Sequence, residues 1–310
     1  MELPAAFIQN IRSTFEERGE TFLAELPALV DEASASWGLS DVDPVPNLSY
    51  NFVAFAKRDG ENVVLKIGVP HRELHSEMAA LRWFDGDGVC KPLETDEEKG
   101  FILLERLKPG IMLCELEDDD ERTHIALDVR EKLFRRGEVF SPQIGRGDPA
   151  PTDDKFIRLT DWFDELNTVR PHFNGETGIF PKEIFERVES FLPELLEDKN
   201  PRLIHGDFHH FNILSSERGW LAIDPKGVMG SAGYEIGPLM LNPWGSLMDG
   251  NRLKVQTLRR VDIIHERLGW ERERIIQWSL AHAILSAWWD FPNGDWSYPL
   301  HCAEVFSRLK

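Results

Sequence analysis

The stretch LIHGDFHHFNILSSERGWLAIDPKG, residues 203–227, decides the fold. Two short apolar runs in it flank a polar turn centred near residue 218. Apolar runs on either side of a short polar turn predict a β-hairpin. A symmetric hairpin about this centre places Asn212 opposite Asp224 at its open end. Asp207 precedes Asn212 by five positions and therefore lies in the loop that leads into the hairpin.

These three side chains suit one kind of chemistry. An amide oxygen beside a carboxylate forms a hard-oxygen site for Mg²⁺ that carries phosphate groups. Asp207 can lie near this site without being a ligand, and a carboxylate there can accept the proton of an attacking hydroxyl. Each residue is also common by itself at a turn or at the start of a strand. The spacing of all three together favours phosphoryl transfer.

An independent signal comes from an earlier strand and helix. Lys66 interrupts the apolar strand 63–67, where a lone cation would be costly to bury. The helix predicted at 72–85 places Glu77 on its apolar face, where a carboxylate also needs a partner. The sequence therefore predicts a Lys66–Glu77 ion pair. Two solvated charges at the edge of a lobe are the alternative.

The remaining pattern predicts an α+β protein of two lobes with a cleft between them. Residues 1–107 form a small, antiparallel-sheet N-lobe with an N-terminal helical extension that breaks near Gly19. A hinge follows near Pro109, and residues 108–310 form a larger, mostly helical C-lobe. Asp59-Gly60 is a strong signal for a tight β-hairpin turn. The predicted strands are 47–57, 62–68, 89–94 and 100–105, and the predicted C-lobe helices are 119–136, 153–170, 182–198, 250–268, 271–288 and 299–309.

Composition limits the possible partners and location. The chain has 310 residues and a net charge of −19, which argues against a nucleic-acid or anionic-membrane binder. No stretch approaches the roughly 18 apolar residues of a membrane span. Three cysteines without metal-type spacing predict free thiols in a reducing cytoplasm. A cationic partner is compatible with the acidity, which alternatively serves only solubility.

The quoted stretch resembles a known group of enzymes. His205-Gly206-Asp207, then Asn212, then Ile223-Asp224 is similar to the catalytic segment of aminoglycoside phosphotransferases and related small-molecule kinases, which share the protein-kinase-like fold. The longer match resembles the aminoglycoside/hydroxyurea resistance kinase family, which includes streptomycin 6-kinases. The resemblance implies that Asp207 is the catalytic base and that Asn212 and Asp224 are magnesium ligands.

The same resemblance implies where a nucleotide binds. Lys66, held by Glu77, would contact the α- and β-phosphates of ATP, with GTP not excluded. The backbone at Glu105 and Leu107 would hydrogen-bond adenine. Ser49 lies in the loop expected over the phosphates. That loop lacks the glycines found in protein kinases. Lys226, two residues after Asp224, either contacts a phosphate or only neutralises neighbouring carboxylates.

The acceptor pocket is expected in the helical lobe near Asp207. Candidate contacts are Glu235, Trp244, Trp289 and Asp290, because carboxylates and aromatic rings suit a cationic small molecule. The expected acceptor is an aminoglycoside such as streptomycin. The alternatives are another metabolite (choline, fructosamine or a homoserine-like compound), or a nucleotide-binding module without catalysis. The protein is expected to be a monomer or a homodimer.

Overall fold

The computed structural model describes residues 3–137, 155–245 and 248–309. Its first half is built on one antiparallel sheet of five strands, which are β1 (Leu39–Pro44), β2 (Phe52–Arg58), β3 (Glu61–Ile67), β4 (Pro92–Asp96) and β5 (Phe101–Glu105). Their order in the sheet is β1-β2-β3-β5-β4. Two residues, Asp59 and Gly60, join β2 to β3, and both have positive φ (52° and 86°), as a tight hairpin turn requires. The predicted hairpin is therefore confirmed.

A bent N-terminal helix covers one face of this sheet. Helix α1 (Ala5–Trp37) is interrupted at Glu16, whose φ of 50° is not helical. The chain then folds back so closely that a Cβ atom at Gly19 would lie 2.4 Å from the carbonyl oxygen of Ile11. The predicted break in this helix is confirmed, three residues before the predicted position. Phe7, Phe22 and Leu26 of this helix share one core cluster with strands β2 and β3.

Helix α2 (Arg72–Phe84) packs between the sheet and the second half of the chain. Its buried residues Leu74, Met78 and Leu81 join one hydrophobic cluster with Phe208 and Ile213 of the quoted stretch. This shared cluster connects the helix that carries Glu77 to the loop that carries Asp207. A division of the chain between residues 107 and 108 stays a prediction.

The second half is mostly helical and has two small three-stranded sheets. Its elements are β6 (Pro109–Met112), α3 (Asp119–Gly137), β7 (Ile157–Arg158), α4 (Leu159–Asp164), α5 (Val169–His172), α6 (Lys182–Leu196), β8 (Arg202–Ile204), β9 (Ile213–Ser216), β10 (Gly219–Ala222), β11 (Val228–Gly230), α7 (Ile236–Leu241), α8 (Gly250–Leu268), α9 (Arg272–Asp290) and α10 (Ser297–Phe306). Strands β9 and β10 form the predicted hairpin, and β6 pairs with β9. The large helices α8 and α9 pack with α10 in one core cluster.

One predicted helix is wrong in its extent. The segment 153–170 was expected to be a single helix, but residues 153–154 lie outside the described residues and 157–158 form strand β7. Strand β7 pairs in parallel with β11, and this long-range pairing replaces the first helical turns. Within the described ranges, no helix combines the length and the apolar character that crossing a membrane requires.

Candidate active site

Lys66 lies at the centre of a buried charge cluster. Its Nζ donates to Glu77 Oε1 at 2.6 Å and to Asp224 Oδ1 at 3.3 Å. Burial disfavours the charged lysine, but Asp224 and Glu77 outweigh that effect, and the pKa of Lys66 is raised. Burial also raises the pKa of Glu77, although Lys66 lowers it. The predicted Lys66–Glu77 ion pair is confirmed. Lys66 also contacts Asp224, which lies 158 positions further along the chain.

The second half supplies Asp207 and Asn212 to the same region. The side-chain nitrogen Nδ2 of Asn212 donates to the backbone carbonyl of Asp207 at 3.0 Å and to Asp207 Oδ2 at 3.1 Å. The predicted register was wrong by one residue, since the backbone amide of Ile223, not that of Asp224, donates to the carbonyl of Asn212. A two-residue turn between Ser216 and Gly219 centres the hairpin half a residue earlier than expected. Asp224 therefore lies one position beyond the paired residues, with a φ of 56°.

The groups around Asp207 keep its carboxyl group ionised. Burial alone would raise its pKa, but the close contact with His209 and the positive charge of Lys226 hold the pKa well below the usual range. Burial lowers the pKa of the His205 imidazole to about 4, so this ring is neutral. Its Nδ1 accepts from the Asp207 amide at 3.2 Å, and its Nε2 donates to the Ile223 carbonyl at 2.8 Å. His205 thus connects the loop of Asp207 to the strand that ends at Asp224.

His209 is a site residue that the sequence reasoning missed. Its Nε2 lies 3.2 Å from Asp207 Oδ1, and its Nδ1 accepts from the backbone amide of Phe211 at 3.3 Å. The sequence held one usable signal: His205 and His209 stand symmetrically two residues before and two residues after Asp207.

Glu235 supports the backbone of the loop that carries Asp207, and this placement corrects an expectation. It was expected to contact the acceptor, but its side chain is fully buried. It accepts hydrogen bonds from the amides of His205 at 2.5 Å and of Gly206 at 3.3 Å. Burial raises its pKa to about 7, against the lowering effect of these bonds and of Arg130. A carboxylate without access to the crevice cannot bind an acceptor there.

The segment after Asp224 is held between α2 and the loop that carries Asp207. The Lys226 amide donates to the His205 carbonyl at 2.7 Å, and Ser76 Oγ donates to the Gly227 carbonyl at 2.5 Å. Gly227 has a φ of 67°, and a Cβ atom there would lie 2.4 Å from the carbonyl oxygen of Ser76. This close contact fixes Asp224 relative to α2 and therefore relative to Glu77. The positive charge of Lys226 contributes to the low pKa of Asp207.

Asn212 and Asp224 fit the requirements of a magnesium ion. The amide nitrogen of Asn212 is already bonded to two oxygens of Asp207, so its Oδ1 is the atom left for a metal. The Asp224 side chain is 44% exposed and can offer a carboxylate oxygen. The described ranges contain no group of three or more His, Cys, Asp or Glu side chains arranged for a metal ion. Mg²⁺ does not need such a group, because it binds through one or two protein oxygens together with substrate phosphates.

A comparison with known protein families decides the assignment. The family model described as aminoglycoside/hydroxyurea antibiotic resistance kinase matches residues 37–294, a span that includes Lys66, Asp207 and Asp224. The chain belongs to this kinase family. It is 28% identical over 299 residues to the streptomycin 6-kinase of Streptomyces glaucescens, covering 95% of this chain and 92% of that protein. It is 29% identical over 308 residues to the hydroxyurea phosphotransferase of Kitasatospora aureofaciens, covering 96% and 83%.

Solved structures show the fold of the kinase. A thermostable mutant of an aminoglycoside phosphotransferase, in a ternary complex with ADP and hygromycin B, matches with a TM-score of 0.62 at 13% identity, over 89% of this chain and 97% of that one. A choline kinase from Streptococcus pneumoniae matches with a TM-score of 0.59 at 14% identity, over 92% and 98%. The predicted bilobal kinase-like fold is confirmed, and the family makes the protein a small-molecule kinase.

The segments expected to contact the nucleotide lie at the edges of the kinase's sheet. The Glu105 amide donates to the Lys91 carbonyl at 3.0 Å, so an adenine bond at this residue would use its carbonyl group. Leu107, two residues on, is nearly buried. Ser49 is exposed in the loop between β1 and β2, and its carbonyl accepts from the Asn10 side chain at 3.3 Å. Binding roles for these residues stay predictions.

Two of the expected acceptor contacts lie near the end of α9. Trp289 meets Trp162 edge to face at 5.3 Å, and its Nε1 donates to Glu165 Oε2 at 2.8 Å. A Cβ atom at Gly206 would lie 3.1 Å from the Trp162 ring, so this aromatic pair reaches the residue next to Asp207. Burial raises the pKa of Asp290 to about 6.

Trp244 lies on another part of the surface. It is 41% exposed and packs on Tyr298 with ring centroids 5.0 Å apart. Nothing in this packing links it to Asp207, and its acceptor role stays a prediction.

Six of the seven residues at 115–121 are acidic, and helix α8 neutralises part of this run. Asp119 accepts two hydrogen bonds from Arg260, at 2.8 and 2.6 Å, and Asp120 accepts one from Arg259 at 2.8 Å. These pairs attach α3 to α8. The run is thus used in part for packing between helices.

Proposed function

We propose that this kinase transfers the γ-phosphoryl group of Mg·ATP to a hydroxyl group of a cationic small molecule, with an aminoglycoside such as streptomycin as the acceptor. The observation that carries the proposal is the joining of two distant clusters. Lys66 contacts both Glu77 and Asp224, while Asn212 contacts Asp207, and Ile223 bonds to Asn212 just before Asp224. A cation for phosphates, two metal-ligand candidates and a carboxylate base therefore share one crevice.

Each side chain has a role in this reaction. Lys66 holds the α- and β-phosphates, and Glu77 fixes the lysine. Asn212 Oδ1 and Asp224 would hold Mg²⁺, which supplies charge neutralisation to the phosphate oxygens when bound. The acceptor oxygen forms a bond to the γ-phosphorus as the bond from that phosphorus to the leaving ADP oxygen breaks. Asp207 accepts the proton that the acceptor hydroxyl loses.

The low pKa of Asp207 defines how it works as a base. Its pKa lies well below the usual range, so the carboxylate is ionised at neutral pH and can accept a hydrogen bond from the acceptor hydroxyl. A base with so low a pKa takes the proton late, after the bond to phosphorus has largely formed. Orientation of the hydroxyl is therefore its main contribution.

The identity of the acceptor is tested by mass spectrometry. The protein is incubated with Mg·ATP and separate pools that contain streptomycin, other aminoglycosides, hydroxyurea, choline, fructosamines and homoserine. A gain of one phosphoryl group on streptomycin supports the proposal. If only a different compound is phosphorylated, the proposed acceptor is wrong and that compound defines the acceptor class. ATP binding without any phosphorylated product would favour the non-catalytic module.

Asp207→Asn provides the control for the chemistry. The amide keeps the size of the side chain and cannot accept the proton, so we expect kcat to fall by roughly 10²–10⁴-fold. ATP binding, measured by calorimetry, should change little because Lys66, Asn212 and Asp224 remain. If Asp207→Asn retained near-normal turnover, another group would have to be the base.

A further inference from the structure

We infer that His209 is a positioning residue for the catalytic base: its Nε2–H donates to Asp207 Oδ1 and fixes the orientation of that carboxylate toward the acceptor. The inference rests on the proposed function for the role of Asp207. It assigns His209 a role that the family motif of Asp207, Asn212 and Asp224 does not contain. His209 is held close to Asp207, because their Nε2 and Oδ1 atoms lie 3.2 Å apart.

The hydrogen bonds of the ring assign its tautomer. Nδ1 of His209 accepts from the Phe211 amide, so that nitrogen carries no proton. An imidazole ring without a proton on Nδ1 carries its proton on Nε2, which is the nitrogen that faces Asp207. His205 shows the same arrangement, because its Nδ1 accepts from the amide two residues on and its Nε2 donates to a carbonyl. The local backbone therefore sets which nitrogen of His209 can donate.

The two oxygens of Asp207 receive donors from different residues. His209 reaches Oδ1, and the amide nitrogen of Asn212 reaches Oδ2 at 3.1 Å. One hydrogen bond would leave the carboxylate free to turn about its Cβ–Cγ bond, whereas two donors on separate oxygens fix its plane. The Asp207 side chain is still 37% exposed, against 16% for His209. The fixed carboxylate is therefore still accessible to an acceptor.

The second donor matters because Asn212 has another task. Its Oδ1 is the atom available to the metal, so movement of the amide on metal binding would also move its bond to Asp207 Oδ2. His209 itself contacts Asn212, because its Nε2 lies 3.4 Å from the Asn212 side-chain nitrogen and its carbonyl accepts from the Asn212 backbone amide at 2.9 Å. The bond from the Phe211 amide to Nδ1 is an additional anchor that keeps the His209 ring in place when the Asn212 side chain adjusts. Misplacement of a catalytic group by about 1 Å can cost on the order of 100-fold in rate.

Two substitutions separate the two bonds of the ring. His209→Asn keeps a polar oxygen near the position of Nδ1, where it can still accept from the Phe211 amide, but it has no donor that reaches Asp207. His209→Gln keeps an amide N–H near the position of Nε2, where it can donate to Asp207, but it loses the bond to Phe211. His209→Asn therefore keeps the bond to Phe211 and loses the bond to Asp207, whereas His209→Gln does the reverse.

We expect His209→Asn to lower kcat by roughly 10–100-fold, with KM for ATP within about threefold of wild type and Tm nearly unchanged. His209→Gln should retain kcat within about threefold and lose about 2–4 °C in Tm, because its cap is lost. A purely structural role for His209 would give losses of kcat that follow Tm. Equal or inverted effects of the two variants on kcat would overturn the inference.

A spectroscopic measurement tests the tautomer without any turnover. Imidazole ¹⁵N NMR of the wild-type protein, with the His209 signals assigned from the His209→Asn spectrum, should show a proton on Nε2 and none on Nδ1. A proton on Nδ1 would overturn the inference even in an active enzyme. If the wild type phosphorylated no acceptor but showed the Nε2–H form, the proposed function would fail while the contact to Asp207 stood.

Discussion

Replacement of Lys66 by Met should destabilise the protein in a manner that depends on pH. Lys66 is 3% exposed and Glu77 6%, so the substitution leaves a buried carboxylate without its cation. Removal of one partner of a buried ion pair costs about 3–5 kcal/mol. A chain of this size loses roughly 2 °C in Tm per kcal/mol, so Lys66→Met should lower Tm by roughly 6–10 °C at pH 8.

The dependence on pH follows from Glu77. Burial already raises the pKa of this carboxyl group in the folded protein, and Lys66 opposes that rise. Without Lys66 the folded-state pKa rises further above the unfolded value of about 4.3. The stability that neutral Glu77 contributes is fully present below the unfolded pKa and is lost as the pH rises through the folded pKa. The deficit of Lys66→Met should therefore shrink at pH 5 to roughly 3–6 °C, which corresponds to the roughly 1.5–3 kcal/mol of a lost hydrogen bond to a charged group.

Scanning calorimetry of three proteins at pH 5 and pH 8 provides the assay. The third protein is the double variant Lys66→Met with Glu77→Gln, which has no ionisable group at either position. We expect the double variant to be more stable than Lys66→Met at pH 8. Its Tm deficit relative to wild type should be nearly the same at pH 5 and pH 8. A deficit of equal size at both pH values, or a double variant less stable than Lys66→Met at pH 8, would refute the reasoning.

Two further substitutions test how the catalytic segment is supported. Glu235→Gln removes a carboxyl group whose pKa burial raises to about 7. The contribution of this group to stability is lost as the pH rises through that value. The Tm of the variant relative to wild type should therefore increase between pH 5 and pH 8, and a constant difference in thermal melts would contradict this expectation. Gly227→Ala places a Cβ atom 2.4 Å from the Ser76 carbonyl oxygen at a φ of 67°, so we expect a loss of about 2–5 kcal/mol together with lower kcat. Gly269→Ala is the matched control, because Gly269 has the same φ with no atom within 4 Å of the added Cβ and should lose only about 1–2 kcal/mol with normal kcat; equal losses in urea unfolding would show that the contact with Ser76 is unimportant.

Local signals in the sequence were sufficient for several elements. Asp59-Gly60 predicted a two-residue turn because few other residues adopt positive φ at both positions, and the structure has that turn. The periodicity of helix α2 placed Glu77 on its buried face, and the cost of burying a lone charge then selected Lys66 as its partner. Each of these inferences needs only neighbouring residues or one electrostatic argument.

Register is more sensitive than element type. The hairpin of β9 and β10 was predicted, yet its centre was placed half a residue too late, and this small error changed the residue opposite Asn212 from Ile223 to Asp224. Turn type sets the register, and the polar turn sequence here is compatible with more than one type. The metal-ligand candidates still lie together, because Asp224 follows the paired residue directly.

The sequence by itself determined which side chains gather at the candidate site, since Lys66, Asp207, Asn212 and Asp224 stand in motifs whose spacing and charge predicted that they would lie together. Only the tertiary structure decided what supports these side chains. Glu235 lies 30 positions from His205 and Ser76 lies 151 positions from Gly227, yet both contact the catalytic segment directly. Such contacts depend on how helices and loops pack in three dimensions, and a carboxylate or a hydroxyl far along the chain carries no local signal of the backbone group that it will bind.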